Sequence, residues 1–163
     1  MREQHSCAKE IHPLWLWAEL MCFFRRNPFE RLRHYRKEDL ERPRNVDSIS
    51  GAFICVRSDV FRGVGGFDEQ GWKNRLYCEE DDLCKRIRDQ GHKLTYLPIG
   101  RSVHIGGESS KRMHPIKRRH MEIDSQLYYA QKHWNPLTAW IMRLTAGVMF
   151  PLWATYQMIR GRN

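Results

Sequence analysis

The chain has 163 residues, of which 41% are hydrophobic and 29% charged, with a formal net charge of +9. That mix can bury one core, so it excludes a disordered chain or a low-complexity linker, and the positive sign points to an anionic partner. The charge is uneven: residues 1–45 carry 10 Lys/Arg against 7 Asp/Glu, residues 46–100 carry 8 against 9, and residues 101–163 carry 10 against 3.

In chain order, residues 14–24 (LWLWAELMCFF) predict a buried helix. Pro28 ends it, because the residue before a proline avoids the helical region. Residues 29–45 are strongly charged and predict a surface loop with one short helix. Residues 52–57 (AFICVR) are apolar and β-prone after Ser50-Gly51, which predicts a strand. Ser58 then reads as the N-cap of a short helix through Val64, stopped by Gly65-Gly66. Phe67-Asp68-Glu69 leads into a loop with Gly71 and Trp72.

Residues 79–90 (EEDDLCKRIRDQ) carry the clearest helical signal. Acids crowd the first turn and bases follow, which suits the helix dipole; Leu83 and Ile87 share a face, and Gly91 fits just past the end. Residues 93–97 (KLTYL) and 101–105 (RSVHI) predict strands, and residues 116–134 a helix with a basic first half. From Leu137 to Ile159 the chain holds one charge, Arg143, and Pro151, with bases on both sides. Spanning a bilayer takes about 20 apolar residues. Arg143, Pro151 and Gln157 favour a helix lying in the interface over one that crosses, the alternative being a buried helix hairpin packed against the missing domain.

Five cysteines (Cys7, Cys22, Cys55, Cys78 and Cys84) with no C-x-x-C predict free thiols in a reducing compartment rather than a disulfide framework or zinc knuckle. The run Glu79-Glu80-Asp81-Asp82 reads either as a solvated, dipole-matched helix start or as a general base or metal ligand at a cleft. Gly51-Ala52 and Gly65-Gly66 read as turn chemistry or as close approach of backbone to a ligand. His104, between Val103 and Ile105-Gly106-Gly107, is a hydrogen-bonded histidine or a metal ligand. The run Lys111-Arg112, His114 and Lys117-Arg118-Arg119-His120 is a solvated face, or a contact to phosphates or anionic lipid. It lacks interleaved aromatics for base stacking, so no nucleic-acid partner is expected.

Taken in order, the blocks 46–57 (VDSISGAFICVR), 65–69 (GGFDE), 77–86 (YCEEDDLCKR), 91–98 (GHKLTYLP) and 103–109 (VHIGGES) resemble the acceptor half of family 2 glycosyltransferases, nearest their rhamnosyltransferase-like branch. The resemblance implies an α/β fold of the GT-A type, a mixed and mostly parallel sheet flanked by helices, followed by a helical hydrophobic tail. Residues 1–135 would be the partial transferase domain and residues 136–163 the membrane-associated tail. Such enzymes move a sugar from a nucleotide diphosphate to an acceptor hydroxyl with inversion, here a hexose or rhamnose, in cell-surface polysaccharide or glycolipid synthesis.

Aligning the family's E-D-x-D-L block on Asp82-Leu83 places the base on Glu80; a register one residue later places it on Asp81. Glu80, Asp81 and Asp82 are thus the candidate catalytic residues. Gly51, Ala52, Arg57, Asp68, Glu69 and Glu79 are the candidate substrate-binding residues, and His104 the ligand of a divalent Mg or Mn ion. The family's D-x-D motif and its N-terminal nucleotide-binding half have no counterpart here. The chain is therefore expected to be a C-terminal part that needs a separate segment or chain for donor and metal binding, and to be inactive alone. It would sit at the cytoplasmic face of an anionic membrane with a glycan or lipid-linked acceptor. The alternative expectation is a non-catalytic basic membrane-binding module derived from that fold.

Overall fold

A computed structural model of the chain describes residues 6–21, 29–36, 38–100 and 113–160. Short mixed runs, each lending an apolar residue to the core or its edge, supply the strands. β1 (Cys7–Ala8) pairs with β3 (Ser48–Ile49), and β2 (Arg44–Val46) pairs with β4 (Leu94–Tyr96), Val46 standing opposite Leu94. Both pairs are antiparallel. The mostly parallel sheet implied by the resemblance is therefore not found among the described residues, which form a mixed α/β structure with two small sheets.

Five α-helices, α1 (Pro13–Met21), α2 (Ser58–Gly63), α3 (Glu79–Asp89), α4 (Pro115–His133) and α5 (Pro136–Arg160), and two short 3-10 helices, Glu30–Leu32 and Glu38–Leu40, complete the described structure. The α3 boundaries match the charge pattern, and Gly91 takes φ +83° just past its end, a conformation that costs glycine little. Ser58 is the first helical residue of α2 rather than its cap; Arg57 holds the cap position without a side-chain capping bond. Gly65 and Gly66 do stop the helix, both at positive φ.

The strand expected at 52–57 does not form. These residues run as a turn and irregular chain, with Phe53 and Cys55 exposed, while Ile54 and Val56 pack beside the core. The expected strand at 101–105 lies outside the described residues.

Two apolar clusters hold the molecule. One joins α1, α4 and α5 through Leu16, Leu20, Ile123, Tyr129, Ala139 and Met142. The other lies under α3 and both sheets: Cys7, Val46, Leu83, Cys84, Ile87 and Leu94. Cys78, just before α3, belongs to the first cluster, and Leu83 and Cys84 to the second. The acidic first turn of α3 thus sits at the seam between the two.

Candidate active site

Four consecutive carboxylates open α3, and the fold treats them differently. Helical geometry turns each side chain about 100° from the last, so neighbours face different surroundings. Asp81 and Asp82 point inward and are 7% and 0% exposed. A buried carboxylate persists as an anion only if it is paired and hydrogen-bonded.

Asp81 accepts hydrogen bonds from one Arg33 nitrogen at 2.7 Å on each oxygen, and from the Ser48 hydroxyl at 2.5 Å. Arg33 also donates to the Lys9 carbonyl, which ties the loop after α1 to the site. Asp82 meets His133 Nε2 at 2.8 Å, Lys132 Nζ at 2.9 Å and Arg86 Nε at 3.0 Å. Burial alone would raise the Asp82 pKa, but the bonds from His133, Lys132 and Arg86 outweigh it and hold the carboxyl well below its usual range.

Lys132 has a second partner. It donates to Asp68 at 2.7 Å, and Asp68 also accepts from the Tyr128 hydroxyl and the Gly71 N–H, both at 2.8 Å. Hydrogen bonds from Lys132 and the Gly71 backbone lower the Asp68 pKa to about 2, against a smaller opposing effect of burial. Asp68 and Glu69 line an open cleft of about 580 Å³ with Gly65, Arg86 and Lys132. A second cleft of about 370 Å³ is lined by Ile54, Val56, Phe61 and Phe67. Neither cleft contains Glu80.

Glu80 is half-buried and has no ion-pair partner among the described residues. Burial, then the negative charge of Asp81, raises its pKa to about 7. Gly51 lies against it, since a Cβ on Gly51 would stand 3.9 Å from Glu80 Oε1. Gly51 and Ala52 form an exposed turn beside the carboxyl, which is itself only partly buried. A carboxyl titrating near neutrality beside open backbone can take a proton from a bound hydroxyl.

The chain enters α3 through two residues in the left-handed region, Tyr77 at φ 69° and Cys78 at φ 71°. Such backbone costs of order 1–3 kcal/mol per non-glycine residue and gathers at functional sites. Tyr77 is 46% exposed beside the carboxylate turn.

The structure thus brings Glu80 together with Gly51, and Asp68 with Asp82 through Lys132. Glu79 opens α3 half-buried, and Ala52 follows Gly51 on the exposed turn. Arg57 is not drawn in: it is exposed and paired with Asp59 two residues on. His104 lies outside the described residues. Among the described residues no three His, Cys, Asp or Glu side chains form a group that could hold a metal. The oxygens of Asp81 and Asp82 are taken by Arg33, Ser48, His133, Lys132 and Arg86, so these two carboxylates are not free to hold a divalent ion.

Sequence reasoning missed Arg33, Ser48, Lys132, His133 and Tyr128 as partners of the acids. Lys132 and His133 carried one readable signal, two bases in the last turn of a helix where the dipole welcomes them. Arg33, in a loop rich in arginines, carried none.

The chain is 29% identical over 150 residues to the N-acetylglucosaminyl-diphospho-decaprenol L-rhamnosyltransferase of Mycobacterium tuberculosis, a match covering 90% of this chain and 47% of the relative. It is 40% identical over 75 residues to the rhamnosyltransferase WbbL of Escherichia coli, covering 46% of this chain and 27% of the relative. A pre-mycofactocin glycosyltransferase of M. tuberculosis is 40% identical over 60 residues, 36% of this chain and 12% of the relative. No family model and no solved structure matches. The relatives bear out the likeness to rhamnosyltransferase-like glycosyltransferases of family 2. The chain spans about half the length of the mycobacterial rhamnosyltransferase and less of the others.

Proposed function

We propose that this chain carries the acceptor side of an inverting sugar transfer of the GT-A type, at the cytoplasmic face of a membrane, with Glu80 as the general base. The observation that carries the reading is the state of the four acids. Asp81 and Asp82 are spent on bases, while Glu80 is raised to about 7 and lies against the bare backbone of Gly51.

A sugar hydroxyl is a poor nucleophile until its proton has somewhere to go. Glu80 takes that proton as the hydroxyl oxygen forms its bond to the anomeric carbon. The bond from that carbon to the nucleotide diphosphate breaks on the opposite face, which inverts the centre. Near neutral pH about half of the Glu80 carboxyls are ionised, so the base is poised rather than always charged. Asp81, fixed by Arg33 and Ser48, holds its negative charge beside Glu80 and keeps that pKa high. Asp82, fixed by three bases, pins α3 to α4. The chain's own described residues supply no donor set for a divalent ion, so no step here runs through one.

The names of the relatives support L-rhamnose as the sugar and a lipid diphosphate-linked N-acetylglucosamine as the acceptor. The test is transfer from a nucleotide-diphosphate rhamnose to that acceptor, by the chain supplied with a donor-binding half. Glu80→Gln should lower kcat by about 10²–10⁴ with little change in donor affinity. Near-normal turnover in Glu80→Gln, with loss in Asp81→Asn, would move the base to Asp81.

A further inference from the structure

The two faces of α5 differ in a way that the sugar-transfer reading does not use. Ala139, Met142 and Ala146 turn inward and are buried against α1 and α4. Leu137, Ile141, Leu144, Val148, Leu152 and Ile159 recur every three, four or seven residues, so they share the opposite face. All six are at least 42% exposed. That apolar stripe runs about 33 Å along the helix. No acid occurs anywhere in α5; its two charges are Arg143 and Arg160.

We propose that this stripe lies flat in the headgroup region of an anionic membrane, with α5 parallel to the surface and not across it. Two observations choose this over a crossing helix. Arg143, which interrupts the apolar sequence, is on the flank of the helix and donates to Gln131 of α4 at 2.6 Å. From there to the His120–Phe150 ring contact at 5.4 Å, α4 runs beside α5. This α4 stretch carries Glu122 and Asp124, so a crossing α5 would drag those charges into hydrocarbon, at a cost that bilayers resist.

Charge complementarity chooses lipid over a second copy of the chain. Lys117 and Arg118 are exposed in the first turns of α4, one turn before the His120 that meets Phe150 of α5, and Arg160 ends α5. An apolar stripe on a helix with bases and no acid, beside further exposed bases on α4, suits anionic headgroups and would repel its own image across a two-fold axis. Trp140, 57% exposed, sits at the edge of the stripe where an aromatic ring reaches headgroup depth.

The experiment is flotation of the full chain with phosphatidylcholine vesicles, with and without phosphatidylglycerol. Binding should require the anionic lipid, weaken as salt is raised, and be reversed by alkaline carbonate. Val148→Glu with Leu152→Glu should reduce binding about tenfold or more, as should Lys117→Glu with Arg118→Glu. Ile99→Glu, which changes an exposed apolar residue on the loop after β4, should bind as the parent does. Quenching of tryptophan emission by brominated lipid should fall in Trp140→Phe, a readout that needs no disruptive variant.

Three results would each overturn the proposal. One is equal flotation of the parent and the Val148/Leu152 variant. Another is resistance to carbonate, which means that α5 crosses. The third is indifference to vesicles together with a dimer that the Val148/Leu152 variant dissociates, which puts a second copy on the stripe.

Discussion

Arg33 grips both carboxylate oxygens of Asp81 through a single nitrogen, 2.7 Å from each, across 48 residues of sequence. The pair is shielded, with side-chain exposures of 13% and 8%. It joins the loop after α1 to the first turn of α3, and it keeps a fixed negative charge next to Glu80.

Removing one partner of such a pair strands the other charge in the interior. Arg33→Ala should therefore destabilise the fold by about 3–5 kcal/mol in urea denaturation. Asp81→Ala should cost a similar amount, and the double variant clearly less than the sum. Additive losses would mean that the two side chains do not act as a pair in solution.

Glu80 should leave a pH signature on stability as well as on rate. Its carboxyl titrates near 7 in the fold against an ordinary 4.5. The folded chain therefore holds the proton more tightly than the unfolded one. Stability from this group is complete below pH 4.5 and is lost as pH rises through 7, by at most roughly 3 kcal/mol. Thermal melts across this window should show that decline in the parent and a flatter profile in Glu80→Gln. In the complemented enzyme, kcat should climb with pH along a limb centred near 7. A limb near the usual glutamate value would show that the site is wetter than its burial suggests.

Gly71 supports the Asp68 network by having no side chain. A Cβ there would collide with the Tyr128 hydroxyl and stand 2.5 Å from Asp68 Oδ2. Gly71→Ala should break the Tyr128–Asp68 bond and loosen the hold of Lys132 on both acids, at a cost of about 1–3 kcal/mol. Nuclear magnetic resonance titration of Asp68 should then show its pKa rising from about 2 toward the ordinary range. An unchanged Asp68 titration in a folded Gly71→Ala would mean that Lys132 alone sets it.

What the sequence made legible follows the range of the interactions. The α3 helix was readable because its signals are local: acids at the start, Leu83 and Ile87 one turn apart, and Gly91 beyond the end. The strands were less so. AFICVR has the composition of a strand, but only Ile54 and Val56 find the core, and no strand lies beside it among the described residues to take its backbone bonds. The strands that do form are two or three residues long and gain their partners from segments 40 to 52 residues away, such as Cys7 opposite Ile49 and Val46 opposite Leu94. Glu80 could be placed by likeness alone, but its isolation from bases depends on Arg33, Lys132 and His133 converging on its neighbours. No spacing rule reports that convergence.

The left-handed pair Tyr77–Cys78 has a consequence for the choice among four adjacent acids. A run of like residues carries no internal mark saying which of them should face the open backbone at Gly51. A helix that began one residue earlier or later would rotate the set by about 100° and offer Glu79 or Asp81 instead. Two successive backbone reversals cannot be absorbed into helical geometry, so they fix the phase at which winding starts. Selection among the carboxylates is thus settled by the main chain before any side chain is consulted. A glycine at position 77 or 78, comfortable in either conformation, would blur it.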